Sequence, residues 1–312
     1  MGNIKQKIVS SDTFQKVTAR LHQYKRRRQL KRWYGDIIEK YRNQLSPHAE
    51  GQPSDYIWLC WWQGKAQMSP LVRECCSRIR RFNPDKQVIL ITEDNMEQYV
   101  SFPSYILEKF HKGIITKTHM SDLLRAELLA RHGGIWMDAT IYTFGPIPEH
   151  FYEKTLFTGR CEYNKKDYNV SRNRWTSYFW VSPWPEHVFF RFLSDFWRAY
   201  WKDHETLIEY FLIDYVIDLG YHTIPIIKNE LDAVDVNGCG VDLWTLLRKL
   251  REDYSPALIE KIRQENWMQK LSYKGEEFIQ QKALHPENSV YKVLFLDVPE
   301  KTTLRETEMQ HV

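Results

Sequence analysis

Asp122, Arg125 and Asp138 are the residues whose types and spacing suggest a reactive site. Asp122 and Arg125 are three positions apart, so a helix would place them on one face. Helical spacing of the apolar residues predicts that helix, and Gly133-Gly134 ends it. The apolar run Ile135-Trp136-Met137 then predicts a buried strand that ends at Asp138. The glycines fold the strand back against the helix, so we expect the three charged side chains to meet beyond the strand's carboxyl end, where open α/β sheets bind ligands.

A carboxylate at the end of a buried strand is costly unless it is paired or holds a cation. The pattern therefore fits a site for a metal ion or a charged ligand. A purely structural interpretation is also open, in which Asp122 and Arg125 form a helix salt bridge and Asp138 begins a turn. Spacing alone does not separate these two interpretations.

Composition is that of an ordinary globular protein, with one large domain or two small ones. Of 312 residues, 43% are hydrophobic and 27% are charged, and twelve are tryptophan. The five cysteines are an odd number with no C-x-x-C, which argues against a disulfide framework and a zinc site. We find no signal-peptide pattern and no apolar run long enough to span a membrane, so the cytoplasm is the expected location.

Residues 1–45 are predicted to form a basic helical arm, and residues 46–312 the main domain. Ten Lys or Arg lie between positions 5 and 32, against the single acid Asp12. Phe14, Val17 and Leu21 recur among them at helical spacing, so residues 5–38 fit a basic amphipathic helix. Three interpretations remain open: contact with an anionic membrane surface, a solvated arm packed on the domain, or nucleic-acid binding.

Alternating strands and helices in the main domain predict an α/β fold. The order strand, helix, strand over residues 55–62, 70–82 and 87–92 implies a parallel sheet with right-handed crossovers. Neither a dinucleotide fingerprint nor a P-loop follows these strands. Later segments predict two further strands and four helices, at residues 155–159, 175–181, 186–201, 205–219, 242–250 and 256–264.

The segment SDLLRAELLARHGGIWMDAT, residues 121–140, resembles the core signature of the capsular polysaccharide synthesis proteins. These are relatives of glycosyltransferase family 32, with S-D-x-x-R, then G-G and an aromatic residue, then D-x-D. IWLCWWQG, residues 57–64, resembles the family's opening strand, and the resemblance runs from about Asp55 to about Val293. It implies a GT-A-type Rossmann-like mixed sheet flanked by helices. It also implies a retaining transfer of sugar from a nucleotide-sugar donor, expected to be a UDP-sugar, to a saccharide or lipid-linked acceptor in capsular or exopolysaccharide synthesis.

The resemblance assigns Asp138 as ligand of a divalent cation, Mn²⁺ or Mg²⁺, which prefer oxygen ligands. Thr140 occupies the third position of D-x-D, where a hydroxyl is a weaker ligand than a carboxylate. The metal site is thus one carboxylate short. Either Asp94 or Asp214 completes it, or the metal binds mainly through Asp138 and the donor diphosphate.

The other expected roles concern donor and acceptor. Asp122 would bind hydroxyls of the ribose or sugar, and Arg125 a phosphate or the donor sugar. The remaining candidates are Trp62 for stacking on the base, with Trp58 and Trp61 as alternatives, Trp136 for the nucleoside pocket, Lys270 and Lys274 for the phosphates, and Glu209, Tyr210 and Asp214 near the sugars. For the last three, solvated positions on an amphipathic helix are an equally simple interpretation.

Two other functions remain to be considered. The chain can be an inactive protein of the same fold that its basic arm recruits to the inner face of the plasma membrane. It can also bind nucleic acid through the arm, although we expect no nucleic-acid partner. The enzyme hypothesis differs from both in predicting that a nucleotide and a divalent cation stabilise the fold together.

Overall fold

The computed structural model describes residues 12–45, 53–160, 168–283 and 285–297. The helices are α1 Asp12–Trp33, α2 Gly35–Arg42, α3 Pro70–Phe82, α4 Ser104–His111, α5 Lys117–His132, α6 Val188–Asp203, α7 Leu212–Thr223, α8 Pro225–Asp232, α9 Thr245–Lys249, α10 Pro256–Glu265 and α11 Glu276–Gln281. The strands are β1 Tyr56–Cys60, β2 Gln87–Ile91, β3 Gly134–Met137, β4 Ile141–Thr143, β5 Phe157–Thr158, β6 Phe179–Ser182 and β7 Met268–Lys270. Short 3₁₀ turns span Lys65–Gln67, Met96–Gln98, Glu149–Phe151 and Pro286–Asn288, and a π-helical turn spans Lys292–Leu296.

A five-stranded mixed sheet lies at the centre, in the order β2-β1-β3-β6-β5. Strand β1 runs parallel to β2 and to β3, as the sequence predicts. Strand β6 is antiparallel to both β3 and β5. Strands β4 and β7 form a separate antiparallel pair, in which Ile141 is opposite Lys270. The prediction of an α/β fold with a mixed sheet flanked by helices is confirmed.

Successive strand residues point to opposite sides of the sheet, and helices cover both sides, so both faces are buried. Trp58 and Trp136 join a core cluster that includes residues of α5, α6 and α7. Ile57 and Ile135 join a second cluster that includes residues of α3 and α10. This two-sided burial explains why the central strands are apolar at every position instead of alternating with polar residues.

Gly133 and Gly134 connect α5 to β3 through a backbone that only glycine tolerates. Their φ angles are +66° and +98°. A Cβ at Gly133 would lie 2.7 Å from the carbonyl oxygen of Pro183, and one at Gly134 would lie 2.5 Å from that of Tyr56. The pair therefore allows both the turn and close strand contact. It brings the end of β3 back alongside the middle of α5.

The basic arm packs on the main domain over its second half. Leu30, Tyr34, Ile38 and Tyr41 are buried and belong to the same core cluster as α6 and α7. The predicted linker falls mostly on residues 46–52, which lie outside the described residues. The division at residue 45 therefore stays a prediction. Within the described ranges, no helix combines the length and apolar character that a membrane crossing requires.

Two predicted helices are shorter than expected. Residues 205–211 are not helical, and α7 begins at Leu212. The hydroxyl of Tyr200 explains this, because it donates to the carbonyl of Thr206 and accepts from the amide of Ile208. Helix α9 is confined to Thr245–Lys249. The prediction that Glu209 and Tyr210 share a helix with Asp214 is therefore wrong.

Candidate active site

Asp138 lies directly after β3, at the carboxyl end of the parallel strands. Its amide donates to the carbonyl of Tyr178, and its carbonyl accepts from the amide of Ile141, so the backbone turns here. The indole of Trp136 donates to Asp138 Oδ1 at 3.0 Å. The side chain of Asp138 is 28% exposed, so its carboxylate is held in place and still reaches solvent. It therefore has the accessibility that ligand binding requires.

Helix α5 brings Asp122 and Arg125 to the same place. Thr116 caps this helix by accepting a hydrogen bond from the amide of His119. Arg125 Nη1 lies 3.1 Å from Asp122 Oδ1, and Arg125 Nη2 lies 3.6 Å from Asp138 Oδ1. The three residues thus converge as their spacing predicts, and the arginine lies between the two carboxyl groups.

A second cation approaches Asp138 from strand β7. Lys270 Nζ lies 3.4 Å from Asp138 Oδ2 and donates to the hydroxyl of Thr140. The pairing of β4 with β7 positions it, since the amide of Leu271 donates to the Thr140 carbonyl. Lys270 is only 13% exposed in its side chain, and its ammonium lies 5.6 Å from the centre of the Tyr178 ring. Asp138 is therefore flanked by two fixed cations.

Burial raises the pKa values of two acidic groups in this cluster, Asp122 and Cys60. Because Asp122 is buried, its pKa is raised from 3.8 to about 7; Arg125 opposes this rise, and Asp138 and Asp214 add to it. Burial also raises the pKa of the Cys60 thiol well above its usual range, so this neighbour is uncharged. The buried Nε of Arg125 has no hydrogen-bond partner among the described residues. Arg125 and Lys270 flank the carboxyl group of Asp138, and one buried donor is unsatisfied. This arrangement attracts an anion.

The tryptophans divide between core and site. Trp58 is fully buried, its indole donates to the Gly133 carbonyl, and the rings of Tyr56, Tyr99 and His132 surround it. Trp58 therefore has no free ring face for a nucleotide base, and the prediction that it stacks on the base is wrong.

Three other tryptophans are candidates for the nucleoside pocket. Trp136 is also buried, beneath the guanidinium of Arg125 at 5.1 Å, which leaves its backbone for lining a pocket. Trp62 is 7% exposed and donates to Ser121 Oγ and the Lys117 carbonyl. Trp61 is less buried and packs edge-on against Tyr273 at 5.0 Å. Stacking on the base stays a prediction for Trp62 and Trp61.

The acceptor-side candidates are only partly assembled. Asp214 lies in the first turn of α7, and the indole of Trp175 donates to its Oδ1 at 2.9 Å. Asp214 is also close enough to affect the pKa of Asp122. Glu209 instead pairs with Arg26 of α1 at 2.7 Å. The structure therefore places Asp214 beside the cluster and directs Glu209 to the arm.

The remaining candidates form no ion pair or hydrogen bond with the cluster among the described residues. Tyr210 is 58% exposed, and its carbonyl lies 3.3 Å from Nε2 of His119. Lys274 is exposed, and its side chain forms no ion pair or hydrogen bond within the described residues. Asp94 is also exposed, and among the described residues it has no ion pair or hydrogen bond with the cluster. A phosphate role for Lys274 and a metal role for Asp94 stay predictions.

The donor set of a metal site can be tested on these side chains. Asp138 offers one carboxylate and Thr140 one hydroxyl, but Lys270 already contacts both. Within the described part of the chain, no cluster of three His, Cys, Asp or Glu residues could hold a metal. These residues do not form a preassembled metal centre. A divalent cation at Asp138 would need further oxygen ligands from a bound anion.

Sequence reasoning missed Tyr178 and found Lys270 only through the family resemblance. Tyr178 fixes the backbone of Asp138 because β6 pairs with β3 in antiparallel register, with Met137 opposite Phe179. Lys270 depends on the pairing of β4 with β7, strands about 130 positions apart. No short-range pattern encodes either contact. The resemblance that singled out Lys270 was the available signal.

The fold and the site together define a class of protein. It is an α/β protein with a mixed central sheet, in which a carboxyl group lies between two cations at the end of the central strand β3. A family model described as capsular polysaccharide synthesis protein matches residues 6–294, so the chain belongs to that family. The match begins well before Asp55, which makes most of the basic arm part of the family sequence.

Two known proteins add to this comparison. O-glycosyltransferase braB of Annulohypoxylon truncatum is 31% identical over 107 residues, which are 31% of this chain and 25% of that protein. The chain thus spans about a quarter of that relative's length. The solved structure of PaToxG Glycosyltransferase is 14% identical and covers 80% of this chain and 99% of its own, with a TM-score of 0.37.

Proposed function

We propose that the protein is a glycosyltransferase that moves a sugar from a nucleotide-sugar donor, a UDP-sugar, to a saccharide or lipid-linked saccharide in capsular polysaccharide synthesis. The observation that carries this proposal is the placement of Asp138 between Arg125 and Lys270 at the carboxyl end of the parallel strands. Family membership and the glycosyltransferase relative support it. The assignment of the fold as GT-A type rests on the resemblance of residues 57–64 and 121–140 to the capsular polysaccharide synthesis family.

The two cations supply the chemistry that this reaction needs. When the bond between the anomeric carbon and the diphosphate breaks, negative charge develops on the departing phosphate oxygen. Fixed cations stabilise such charge strongly because they need no reorganisation as it forms. Arg125 is preferred for the phosphates because its planar fork suits bidentate binding and its Nε is unsatisfied. Lys270 provides a second, point-like charge.

The carboxyl groups have separate roles. Asp122, with a pKa of about 7, is partly protonated at neutral pH and can donate to a sugar or ribose oxygen. Asp138 orients both cations and, with Thr140, would hold Mn²⁺ or Mg²⁺ together with the diphosphate. A divalent cation would supply Lewis-acid stabilisation of the leaving phosphate.

The transfer is proposed to retain the anomeric configuration. In a front-face reaction, the acceptor oxygen bonds to the anomeric carbon as the diphosphate leaves from the same side. The departing phosphate oxygen takes the acceptor's proton, so no enzyme nucleophile is required. Asp214, held by Trp175, would position acceptor hydroxyls. The anomeric configuration of the product, measured by NMR, tests this step, and an inverted product would exclude it.

Sugar transfer and donor hydrolysis test the function directly. The wild-type chain, Asp138→Asn and the exposed control Asp85→Asn are incubated with UDP- and GDP-sugars, and release of the nucleotide is measured. We expect the wild type and the control to release UDP, and Asp138→Asn to lose activity by at least about 100-fold while staying folded. If the wild type neither binds nor hydrolyses any donor, the chain is an inactive relative of the fold.

A further inference from the structure

Helix α1 has two different faces, and its inner face packs on the main domain. Gln23 and Leu30 are buried. Arg26 pairs with Glu209 at 2.7 Å, and Arg27 pairs with Asp218 at 2.9 Å. Burial together with these ion pairs fixes the rotation of α1, so its opposite side must face away from the domain.

The outer face carries an apolar stripe. Val17, Leu21 and Tyr24 are 50%, 54% and 51% exposed, at spacings of four and three. Leu21 and Leu30 lie nine positions apart, about two and a half helical turns, and so point to opposite sides of α1. Large apolar side chains aligned in this way on a charged helix are uncommon on a surface that meets only water.

Basic residues flank this stripe on both sides. They are all exposed and form no ion pair with any described residue; they are Arg20, Lys25, Arg28, Lys31 and Arg32. The guanidinium of Arg28 lies 5.8 Å from the centre of the Tyr24 ring. Asp12 is the one acidic residue in the sequence of α1. The outer face is therefore both apolar and strongly cationic.

We propose that the outer face of α1 docks on an anionic lipid bilayer. Val17, Leu21 and Tyr24 enter the headgroup region, and the flanking cations contact lipid phosphates. Two other occupants fit less well. Nucleic acid would engage the cations and leave the apolar stripe in water, and a second copy of α1 would bring like charges together. The ion pairs of the inner face then hold the domain in one orientation on the membrane.

Vesicle flotation of the full chain tests this surface. We expect binding to vesicles of phosphatidylcholine with phosphatidylglycerol, and none to phosphatidylcholine alone. Added salt should weaken the binding, because it screens exposed charges. The triple variant Val17→Ser/Leu21→Ser/Tyr24→Ser should lower the partition coefficient by at least about tenfold. The matched control is Val236→Ser/Val241→Ser, at valines 48% and 64% exposed elsewhere, which should bind as the wild type does.

The charged residues are tested separately. Each of Arg20→Gln, Lys25→Gln and Lys31→Gln should lower the partition coefficient about fivefold at low ionic strength. Thermal unfolding of every variant should match the wild type, because the replaced side chains are exposed.

Four results would overturn the proposal. The wild type fails to float with anionic vesicles, or the triple serine variant floats as well as the wild type. Alternatively, the wild type is a dimer in solution that the triple variant dissociates, which would assign this face to a second copy. Tighter binding to duplex RNA than to anionic vesicles, unchanged in the triple variant, would assign the cations to nucleic acid.

Discussion

Asp122→Asn should change how stability depends on pH, because burial raises the pKa of Asp122 from 3.8 to about 7. Between these two values the folded protein keeps the proton and the unfolded chain releases it. In the wild type, this group therefore lowers the free energy of unfolding as pH rises from about 4 to about 7, by about 1.4 kcal/mol per pH unit. Its full effect at pH 8 is about 4 kcal/mol. Asparagine has nearly the same shape and no charge.

Urea unfolding of the wild type and Asp122→Asn, measured between pH 4 and pH 8.5, is the assay. The difference in free energy of unfolding, variant minus wild type, should increase with pH across that window and level off above about pH 7.5. Asp85→Asn is the control, because its ion pair with Lys86 lowers the pKa of Asp85 and so gives no such rise. A difference that stays constant with pH would show that Asp122 is ionised in the folded protein throughout.

Three further predictions concern the same site. Lys270→Met should weaken UDP binding by about 10- to 100-fold in calorimetry, because a charge-assisted contact contributes about 1.5–3 kcal/mol; binding as tight as in the wild type would place the phosphates elsewhere. Manganese alone should leave the melting temperature unchanged, whereas manganese with UDP should raise it, since the protein offers one carboxylate; a shift with manganese alone would reveal a resident metal site. Gly134→Ala should destabilise the fold by about 3 kcal/mol or more in urea unfolding, since its φ is +98° and the new Cβ would lie 2.5 Å from the Tyr56 carbonyl oxygen; a shift below 1 kcal/mol would contradict this.

Local signals predicted the elements that form the site. The sequence predicted helix α3 with the bounds that the structure shows, Pro70–Phe82, because helical periodicity and the signals at helix ends act over a few residues. The Gly133-Gly134 pair similarly marked where α5 ends and β3 begins. Since Asp122, Arg125 and Asp138 are all close to this hinge, their convergence followed from local geometry.

Contacts between distant segments could not be predicted in the same way. Helical periodicity favoured a helix from residue 205, but the Tyr200 hydroxyl satisfies backbone groups at Thr206 and Ile208 and delays α7 to Leu212. Trp58 and Trp62 have equally aromatic surroundings in sequence, and only the tertiary packing of Tyr99 and His132 shows that Trp58 is enclosed. The contact of Lys270 with Asp138 likewise depends on the pairing of β4 with β7.

A crystal structure of the protein with UDP and manganese tests the central claim most directly. We predict that the diphosphate lies against Arg125 and Lys270, with the metal between a phosphate oxygen and the carboxylate of Asp138. A diphosphate bound elsewhere, such as in the open cavity lined by Gly240, Arg263 and Trp267, with Asp138 still paired to both cations, would contradict the claim.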